Sequence, residues 1–370
     1  MIYLDNAATS FPKPISVIRD LNFCLKKYCG NPGRSSHKLS TMASEAIYNA
    51  REILSDHLNT KNPENVVFTY NASYALNLAI KTLVTEKCHI LISDFEHNSV
   101  IRPLQALHDK LGIEYSAFCT ENDIEKSIRE NIKNDTKGIV SSIASNVTGK
   151  AISIKILSKI AAEYKLFLII DASQAIGHRK IDLSETPCDV LCAPAHKALY
   201  GIQGCGFAVF GNDKKRESFI EGGSGSNSRS RYMPDLLPER YEAGTLAVPA
   251  IVALGSGLKF ISDVGIERIA EHLSHLTDAL YDRLDSLKNI KIYGHDSGII
   301  SFNVGEYPSS WVAAELDRNN ICTRGGLHCA PSLHERMGTL EQGAVRVSLS
   351  YFNKKRELDQ LYKVVKNIAF

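Results

Sequence analysis

Two polar residues with reactive side chains directly follow apolar stretches of the chain. Lys197 comes shortly after the stretch 190–192, and Asp171 follows the stretch 167–170. A desolvated lysine has a lowered pKa, and its free amine can attack an aldehyde to form a Schiff base. A partly buried carboxylate needs a cationic partner, such as a protonated pyridine nitrogen, whose charge makes the ring an electron sink. Alone, Lys197 could be a surface residue and Asp171 a helix N-cap, but their positions after two successive predicted strands favour one shared site.

Residues that could bind an anion or an aromatic ring follow two earlier apolar stretches. Asn71, Ala72 and Ser73 lie between a predicted strand and a predicted helix. The N–H groups at a helix start, together with a serine hydroxyl, can bind a phosphate, and helix capping is the ordinary alternative. His97, in the run 94–98, could stack on an aromatic ring or move protons. Its ordinary explanation is a solvated histidine in a helix-entry loop.

A thiol and an arginine stand out in the last part of the chain. Cys329 lies in the run 324–331, whose glycines predict a flexible loop, so this thiol is not expected in the core. Arg324 and His328 could lower its pKa and favour the reactive thiolate. Arg346 lies in an alternating strand pattern and could hold a carboxylate with two hydrogen bonds. The alternative is a solvent-facing arginine on an edge strand.

The same region allows a second interpretation, a metal or sulfur-binding module without catalysis. Cys322, His328, Cys329 and His334 are clustered in the sequence. Structural zinc sites normally use paired cysteines at short spacing, and no such pair accompanies these residues. The sequence therefore predicts no metal.

The elements that must position these residues alternate between two periodicities. Apolar, β-branched stretches predict strands, and spacings of three and four residues between them predict helices. The predicted strands are 66–70, 89–93, 137–145, 167–173, 190–192 and 206–210, and the helices are 73–86, 98–111 and 153–164. This alternation predicts an α/β fold with a mostly parallel sheet covered by helices, whose ligands lie beyond the carboxyl ends of the strands.

The pattern changes in the last third of the chain. A glycine- and serine-rich segment, 222–240, predicts a mobile loop without regular structure. Two long helices, about 250–263 and 267–287, precede short strands. We therefore expect a domain boundary near 245–260.

Composition limits the functional class. The chain has 370 residues, 44% of them apolar, which exceeds the size of one ordinary core and predicts two domains, or one domain with a substantial appendage. A formal net charge of +2 without a block of like charges does not favour nucleic acid or an anionic membrane as partner. No apolar run is long enough for a membrane span, and no secretory signal, nucleotide-binding glycine motif or P-loop is recognised. Nine scattered cysteines predict mostly reduced thiols in the cytoplasm.

In this order, these residues resemble the class V aminotransferases, a family of fold type I enzymes that depend on pyridoxal 5'-phosphate (PLP). Within the family they are similar to the cysteine desulfurases, above all the type II desulfurases and the selenocysteine lyases. The similarity runs from the segment 3–9 to the segment 346–349. It implies a large PLP-binding domain, 16–250, and a smaller α+β domain made of 1–15 and 251–370 that carries the Cys329 loop.

The resemblance also implies roles for individual residues. Lys197 corresponds to the Schiff-base lysine, Asp171 to the partner of the ring nitrogen, Gln174 to a donor to the ring hydroxyl, and His97 to the stacked histidine. Thr245 corresponds to a residue that reaches the phosphate of a second subunit, which implies a homodimer. The implied phosphate contacts within the subunit are Ala72, Ser73 and His196, and the implied substrate contacts are Asn146, Arg324 and Arg346.

The activity implied by the resemblance is cysteine desulfuration. L-Cysteine becomes L-alanine, and its sulfur is taken by Cys329 as a persulfide before passing to an acceptor protein, as in iron–sulfur cluster biogenesis. Selenocysteine lyase, or another β-lyase or aminotransferase of the family, is the alternative. Two positions depart from the family pattern: Pro194 stands in place of a phosphate-binding serine, and Leu327 stands where close type II members have histidine. These departures place the chain in a divergent branch.

Overall fold

The structure is a computed structural model that describes residues 1–33, 36–60, 62–212 and 216–369. A short 3-10 helix covers Pro63–Asn65. The α-helices are α1 (Ile15–Lys27), α2 (Lys38–His57), α3 (Ala72–Leu83), α4 (Asn98–Leu111), α5 (Ile124–Asn131), α6 (Ile154–Tyr164), α7 (Val248–Val264), α8 (Ile266–Asp285), α9 (Ser309–Arg318), α10 (Pro331–Arg336) and α11 (Lys355–Ala369). The strands are β1 (Ile2–Tyr3), β2 (Val66–Thr69), β3 (His89–Ser93), β4 (Glu114–Phe118), β5 (Thr136–Ser142), β6 (Phe167–Asp171), β7 (Val190–Pro194), β8 (Gly206–Phe210), β9 (Ile290–Asp296), β10 (Ile299–Val304), β11 (Ile321–Cys322), β12 (Arg324–Gly326) and β13 (Ala344–Ser348).

The larger sheet confirms the predicted parallel arrangement. Within the described ranges it has seven strands in the order β2-β8-β7-β6-β5-β3-β4. β4, β3, β5, β6 and β7 are parallel to one another, whereas β8 is antiparallel to both β7 and β2. Since parallel strands end at one edge, the segments that follow β3, β5, β6 and β7 are brought together there.

Helices cover both faces of this sheet, which explains why its interior strands are largely buried. Ile90 and Ile92 of β3 pack in one hydrophobic cluster with α3 and α4, and Leu91 packs in a second cluster with α2, α6 and α7. Successive side chains of a strand point to opposite faces, so burial of both faces requires a continuous apolar run. The second cluster also includes Ile300 and Phe302 of β10, which belongs to a second sheet described next.

A second sheet carries the C-terminal residues of interest. It is antiparallel, in the order β12-β13-β10-β9, and β1 pairs in parallel with β11 beside it. β13 is therefore an interior strand, so the alternative of an edge strand for Arg346 is wrong. The predicted division into domains 16–250 and 1–15 with 251–370 stays a prediction.

Most predicted elements are present, with some ends displaced. The predicted strands 137–145 and 167–173 stop earlier, at Ser142 and Asp171. Predicted helix 73–86 ends at Leu83, because Val84 takes an extended backbone conformation. Residues 216–247 contain no helix or strand, in agreement with the irregular segment predicted at 222–240; its mobility stays a prediction.

No single helix among the described residues is long and apolar enough to cross a membrane. Within the same residues, α7 and α8 reach that length and composition when taken together, and their axes are bent by 80°.

A buried ion pair joins α2 to the segment that precedes α7. Both guanidinium Nη atoms of Arg51 donate to the Glu242 carboxylate, over 3.0 and 2.9 Å. The N–H of Phe68 in β2 donates to the same carboxylate over 2.7 Å. The two charged side chains are only 5% and 7% exposed, so each compensates the buried charge of the other.

We expect Glu242→Ala to lower the free energy of unfolding by about 3–5 kcal/mol, because it leaves the Arg51 charge buried without its partner. Asp359→Asn is the matched control, since it removes the carboxylate that pairs with Arg283 at a half-exposed position. The control should cost less than about 1 kcal/mol. Both values come from urea unfolding, and equal losses in the two variants would contradict the role assigned to the buried pair.

Candidate active site

A cavity of about 570 Å³, partly open to solvent, lies at the carboxyl edge of the larger sheet. Many of the predicted site residues, from distant parts of the sequence, line this cavity. Its lining consists of Asn71, Ala72, Ser73, Leu76, His97, Ser99, Ser142, Ala144, Asn146, Asp171, Ser173, Gln174, Pro194, His196 and Lys197.

Asp171 is the last residue of β6 and lies against β7, opposite Cys192 in the strand register. It is 5% exposed, and its Oδ1 accepts a hydrogen bond from the N–H of Ser173 over 2.9 Å. The chain after Asp171 makes turns rather than a helix, so the N-cap alternative is wrong. A buried carboxylate with so few donors is well placed for a cation in the cavity.

Lys197 follows β7 and is half-buried in the same cavity. Desolvation lowers the pKa of its amine to about 8, and the positive charges of Arg346 and Arg324 act in the same direction. The Asp171 carboxylate opposes this shift. The amine therefore loses its proton far more readily than that of an exposed lysine, which a nucleophilic lysine requires.

The N-terminus of α3 forms the opposite wall. Asn71 caps this helix, with its Oδ1 accepting from the N–H of Tyr74 over 2.9 Å, so the capping explanation holds for Asn71. This cap uses the N–H of Tyr74, so the earlier N–H groups at the start of the helix remain available to an anion. Gly206 lets β8 approach closely, because a Cβ there would lie 2.5 Å from the carbonyl carbon of Asn71.

The cavity residues fit the predicted cofactor. Nδ1 of His196 is buried and has no hydrogen-bond partner among the described residues, so a polar atom of a ligand can satisfy it. Burial also lowers the pKa of His196 to about 4, which leaves its ring neutral. Together with the α3 N-terminus, the Lys197 amine and the Asp171 carboxylate, this set matches the phosphate, the aldehyde and the ring nitrogen of PLP.

His97 is the N-cap of α4 and lines the cavity rather than lying in solvent. Its Nδ1 accepts from the N–H of Ser99 over 3.0 Å. Burial lowers the pKa of this histidine, so its ring is uncharged near neutral pH. A neutral ring that is held in place by the backbone N–H of Ser99 is suited to stacking on a planar ligand.

Asn146 and Arg346 come together beside the cavity. The Nη1 of Arg346 donates to the carbonyl oxygen of Asn146 over 2.9 Å, and its Nη2 contacts the Asp5 carboxylate at 2.7 Å. Arg346 is only 1% exposed, which contradicts the alternative of a solvent-facing arginine. Its Nε has no hydrogen-bond partner among the described residues, so one donor of this guanidinium is unsatisfied.

Cys329 is exposed, as predicted, and its loop is held close to the cavity. The carbonyl oxygen of Cys329 accepts from the N–H of Asn98 over 2.8 Å, and that of His328 accepts from Nδ2 of Asn146 over 2.6 Å. These two hydrogen bonds place the backbone of the loop next to the segments that carry His97 and Asn146.

Two predictions about this loop are wrong. Burial lowers the pKa of His328 to about 3, so its ring is neutral and cannot supply the expected positive charge to the thiol. Gly325 and Gly326 lie in β12 rather than in a flexible loop. A Cβ on Gly325 would lie 2.4 Å from the carbonyl oxygen of Ser309, so this glycine permits close packing against α9.

The geometry does not support the metal hypothesis. No group of three or more His, Cys, Asp or Glu side chains in the described part of the chain could hold a metal ion. Nδ1 of His328 lies 3.4 Å from Nε2 of His334, and Nδ1 of His334 lies 2.8 Å from the Thr339 hydroxyl. These contacts use the ring nitrogens that zinc would need.

Thr245 does not lie with the other predicted cofactor residues. It is exposed and lines a different cavity, of about 890 Å³, together with Tyr48 and Arg51. Its predicted contact with the phosphate of a second subunit stays a prediction.

Two residues of the site were not predicted from the sequence. Asp5 pairs with Arg346 across a separation of 341 residues, for which no local signal exists. Glu96 is 1% exposed and accepts hydrogen bonds from Ser142, over 2.7 Å from its N–H and 2.8 Å from its hydroxyl. Desolvation raises the pKa of Glu96 to about 7. Its position beside His97 directly after β3 is the signal that could have revealed it.

The comparisons with known proteins agree with this geometry. A family model described as aminotransferase class-V matches residues 2–361. A probable cysteine desulfurase of Methanothermobacter thermautotrophicus is 29% identical, covering 100% of this chain and 94% of its own. A probable cysteine desulfurase of Halalkalibacterium halodurans is 30% identical, covering 98% and 92%. The apo structure of a cysteine desulfurase from Thermococcus onnurineus superposes with a TM-score of 0.93 at 29% identity, covering 100% and 94%.

We expect Lys197 in the cofactor-free protein to react with acetic anhydride with half-maximal rate near pH 8, because burial lowers the pKa of its amine to about that value. Below this pH the amine is protonated and unreactive, and above it the amine is free. An ordinary lysine has its midpoint near pH ~10.4, so exposed lysines of the same chain serve as internal controls. Peptide mass spectrometry measures both rates, and a shared midpoint would contradict the assignment.

Proposed function

Because the chain belongs to the class-V aminotransferase family, we propose that it is a PLP-dependent cysteine desulfurase that converts L-cysteine to L-alanine. The observation that carries the proposal is the position of Lys197 and Asp171 after adjacent strands in one cavity, with the backbone of the exposed Cys329 loop hydrogen-bonded to Asn98 and Asn146 beside it. The names and the full-length similarity of the relatives agree with this activity.

When bound, PLP supplies an electron sink for the α-carbon of an amino acid. Asp171 would maintain the positive charge on the ring nitrogen, since its buried carboxylate stabilises a cation. Lys197 would hold the cofactor through its amine. Once the substrate amine has displaced it, the freed Lys197 amine would take the α-proton of the substrate, because its lowered pKa lets it act as a base near neutral pH. His97, neutral and fixed by Ser99, would pack on the ring.

The substrate carboxylate is bound by cationic and amide groups beside the cavity. Arg346 has an unsatisfied Nε and is fixed by its hydrogen bond to the backbone carbonyl oxygen of Asn146, a residue that lines the cavity. Arg324 adds a second positive charge near Lys197. Buried donors of this kind orient a carboxylate strongly, because an arginine can form two parallel charged hydrogen bonds with it.

Cys329 accepts the sulfur. Its thiolate attacks the substrate sulfur, so an S–S bond forms while the substrate C–S bond breaks. The electron pair of the broken bond stays with the three-carbon fragment, which gains a proton and leaves as alanine. The sulfur therefore remains on Cys329 as a persulfide, and no external oxidant or reductant is needed.

The surroundings of the reaction follow from the same proposal. The exposed position of Cys329 suits transfer of the persulfide sulfur to an acceptor protein, for example in iron–sulfur cluster biogenesis.

Thr245 is exposed and separate from the cavity, which supports a homodimer in which it completes the phosphate site of a second copy. Sedimentation of a monomer under assay conditions would contradict the dimer. A cytoplasmic location is part of this proposal.

We expect the PLP-loaded protein to form alanine and sulfide from L-cysteine with a reductant present. Cys329→Ser should abolish this turnover and keep the visible absorbance of the bound cofactor, because only the sulfur acceptor is lost. Cys29→Ser is the matched control, since Cys29 is also exposed, and it should retain full activity. Alanine assays and absorption spectra give both results.

Normal turnover by Cys329→Ser would remove Cys329 from the mechanism. Turnover of L-selenocysteine without any turnover of L-cysteine by the native protein would favour a selenocysteine lyase instead.

A further inference from the structure

The backbone of the Cys329 loop has a conformation that its residues do not adopt unaided. His328 has φ of +51° and Cys329 has φ of +58°, both in the left-handed region. Residues with a side chain rarely occupy this region, and two in succession persist only where the surroundings hold them. The contacts that hold this loop therefore determine where the Cys329 thiol lies.

Two contacts tie the loop and the helix after it to the segment 94–98. At one end, the N–H of Asn98 donates to the carbonyl oxygen of Cys329 over 2.8 Å. At the other end, Arg336, the last residue of α10, forms an ion pair with Asp94. The segments 94–98 and 329–336 are thus joined at both of their ends.

The Asp94 end of this connection is itself well fixed. Both carboxylate oxygens of Asp94 accept from Thr120, over 3.1 Å from its N–H and 2.7 Å from its hydroxyl. The Asp94 side chain is 13% exposed and that of Arg336 is 30% exposed, so water screens this pair less than a surface pair. Glu121 lies 3.7 Å from the other Nη atom of Arg336 and adds a second, exposed negative charge.

The connection runs from this pair back to the thiol. Arg336 ends α10, and α10 begins two residues after Cys329. Within this stretch the N–H of His334 donates to the carbonyl oxygen of Ala330 over 3.2 Å, and His334 stacks on His328. A shift of Arg336 therefore moves the short helix and the two left-handed residues together.

We propose that Arg336 and Asp94 are positioning residues that hold Cys329 at the mouth of the cavity for attack on the substrate sulfur. The inference rests on the proposed function and adds to it residues that touch neither the cofactor nor the substrate. Loss of the ion pair misplaces the thiol, whereas Lys197, Asp171 and the phosphate-binding wall keep their positions. The sulfur-transfer step slows, and cofactor and substrate binding do not change.

The test compares Arg336→Gln and Asp94→Asn with Arg336→Lys, which keeps the charge, all as PLP-loaded protein. Arg283→Gln is the matched control, because it removes a half-buried ion pair with Asp359 that joins α8 to α11 and includes no residue of the loop. Hydrogen–deuterium exchange followed by mass spectrometry measures the protection of the Asn98 amide and of residues 328–337. Protection should fall in Arg336→Gln and Asp94→Asn and stay near the native level in Arg336→Lys and Arg283→Gln.

Single-turnover reactions with L-cysteine measure the persulfide on Cys329 by mass spectrometry. Arg336→Gln and Asp94→Asn should form it roughly 10–100-fold more slowly, since a small misplacement of a reacting group has an effect of this size. The L-cysteine concentration that gives half of the change in the cofactor spectrum should stay within about twofold, because the substrate-binding residues are unaltered.

Unchanged exchange and unchanged persulfide formation in Arg336→Gln would overturn the proposal. An equal slowing in Arg283→Gln, or a large shift of the half-saturating L-cysteine concentration, would also overturn it, because the effect would then be general. If the native protein forms no alanine from L-cysteine, the proposed function fails. The exchange data then decide separately whether the ion pair holds the loop.

Discussion

The burial of the Lys197 amine next to the Asp171 carboxylate is the constraint on which the rest of the site depends. Desolvation makes an uncharged amine available, and it also makes an isolated carboxylate costly unless a cation lies beside it. Both conditions require a cavity that is closed below by the sheet. The largely buried strands β5, β6 and β7 provide that closure, because helices cover both of their faces.

Around this pair, the site uses groups that are neutral because they are buried. His97, His196 and His328 all have lowered pKa values with desolvation as the main cause. Positive charge is left to the guanidinium groups of Arg324 and Arg346. In the proposed function these two arginines attract the anionic substrate, and the neutral imidazoles provide shape, stacking and hydrogen bonds.

Local patterns in the sequence were sufficient to predict the strands that form this edge and the residues that follow them. Asp171 and Lys197 could be paired because each directly follows a buried apolar run, and parallel strands end together. The helix α1 and the edge strand β4 were not predicted. In the case of β4, the strand is exposed at several positions and lacks a continuous apolar pattern. The neutral state of His328 could not be predicted, because it depends on burial by segments distant in sequence. The same holds for Asp5, whose partner is 341 residues away.

The contact between Asp5 and Arg346 joins the two ends of the chain, and it has a consequence for biosynthesis. A ribosome adds residues from the N-terminus, so Asp5 has no Arg346 partner until β13 has been synthesised. All seven strands of the larger sheet, with Asp171 and Lys197, are synthesised before that moment. The contact that fixes Arg346 is therefore made only after Asp171 and Lys197 already exist in the nascent chain.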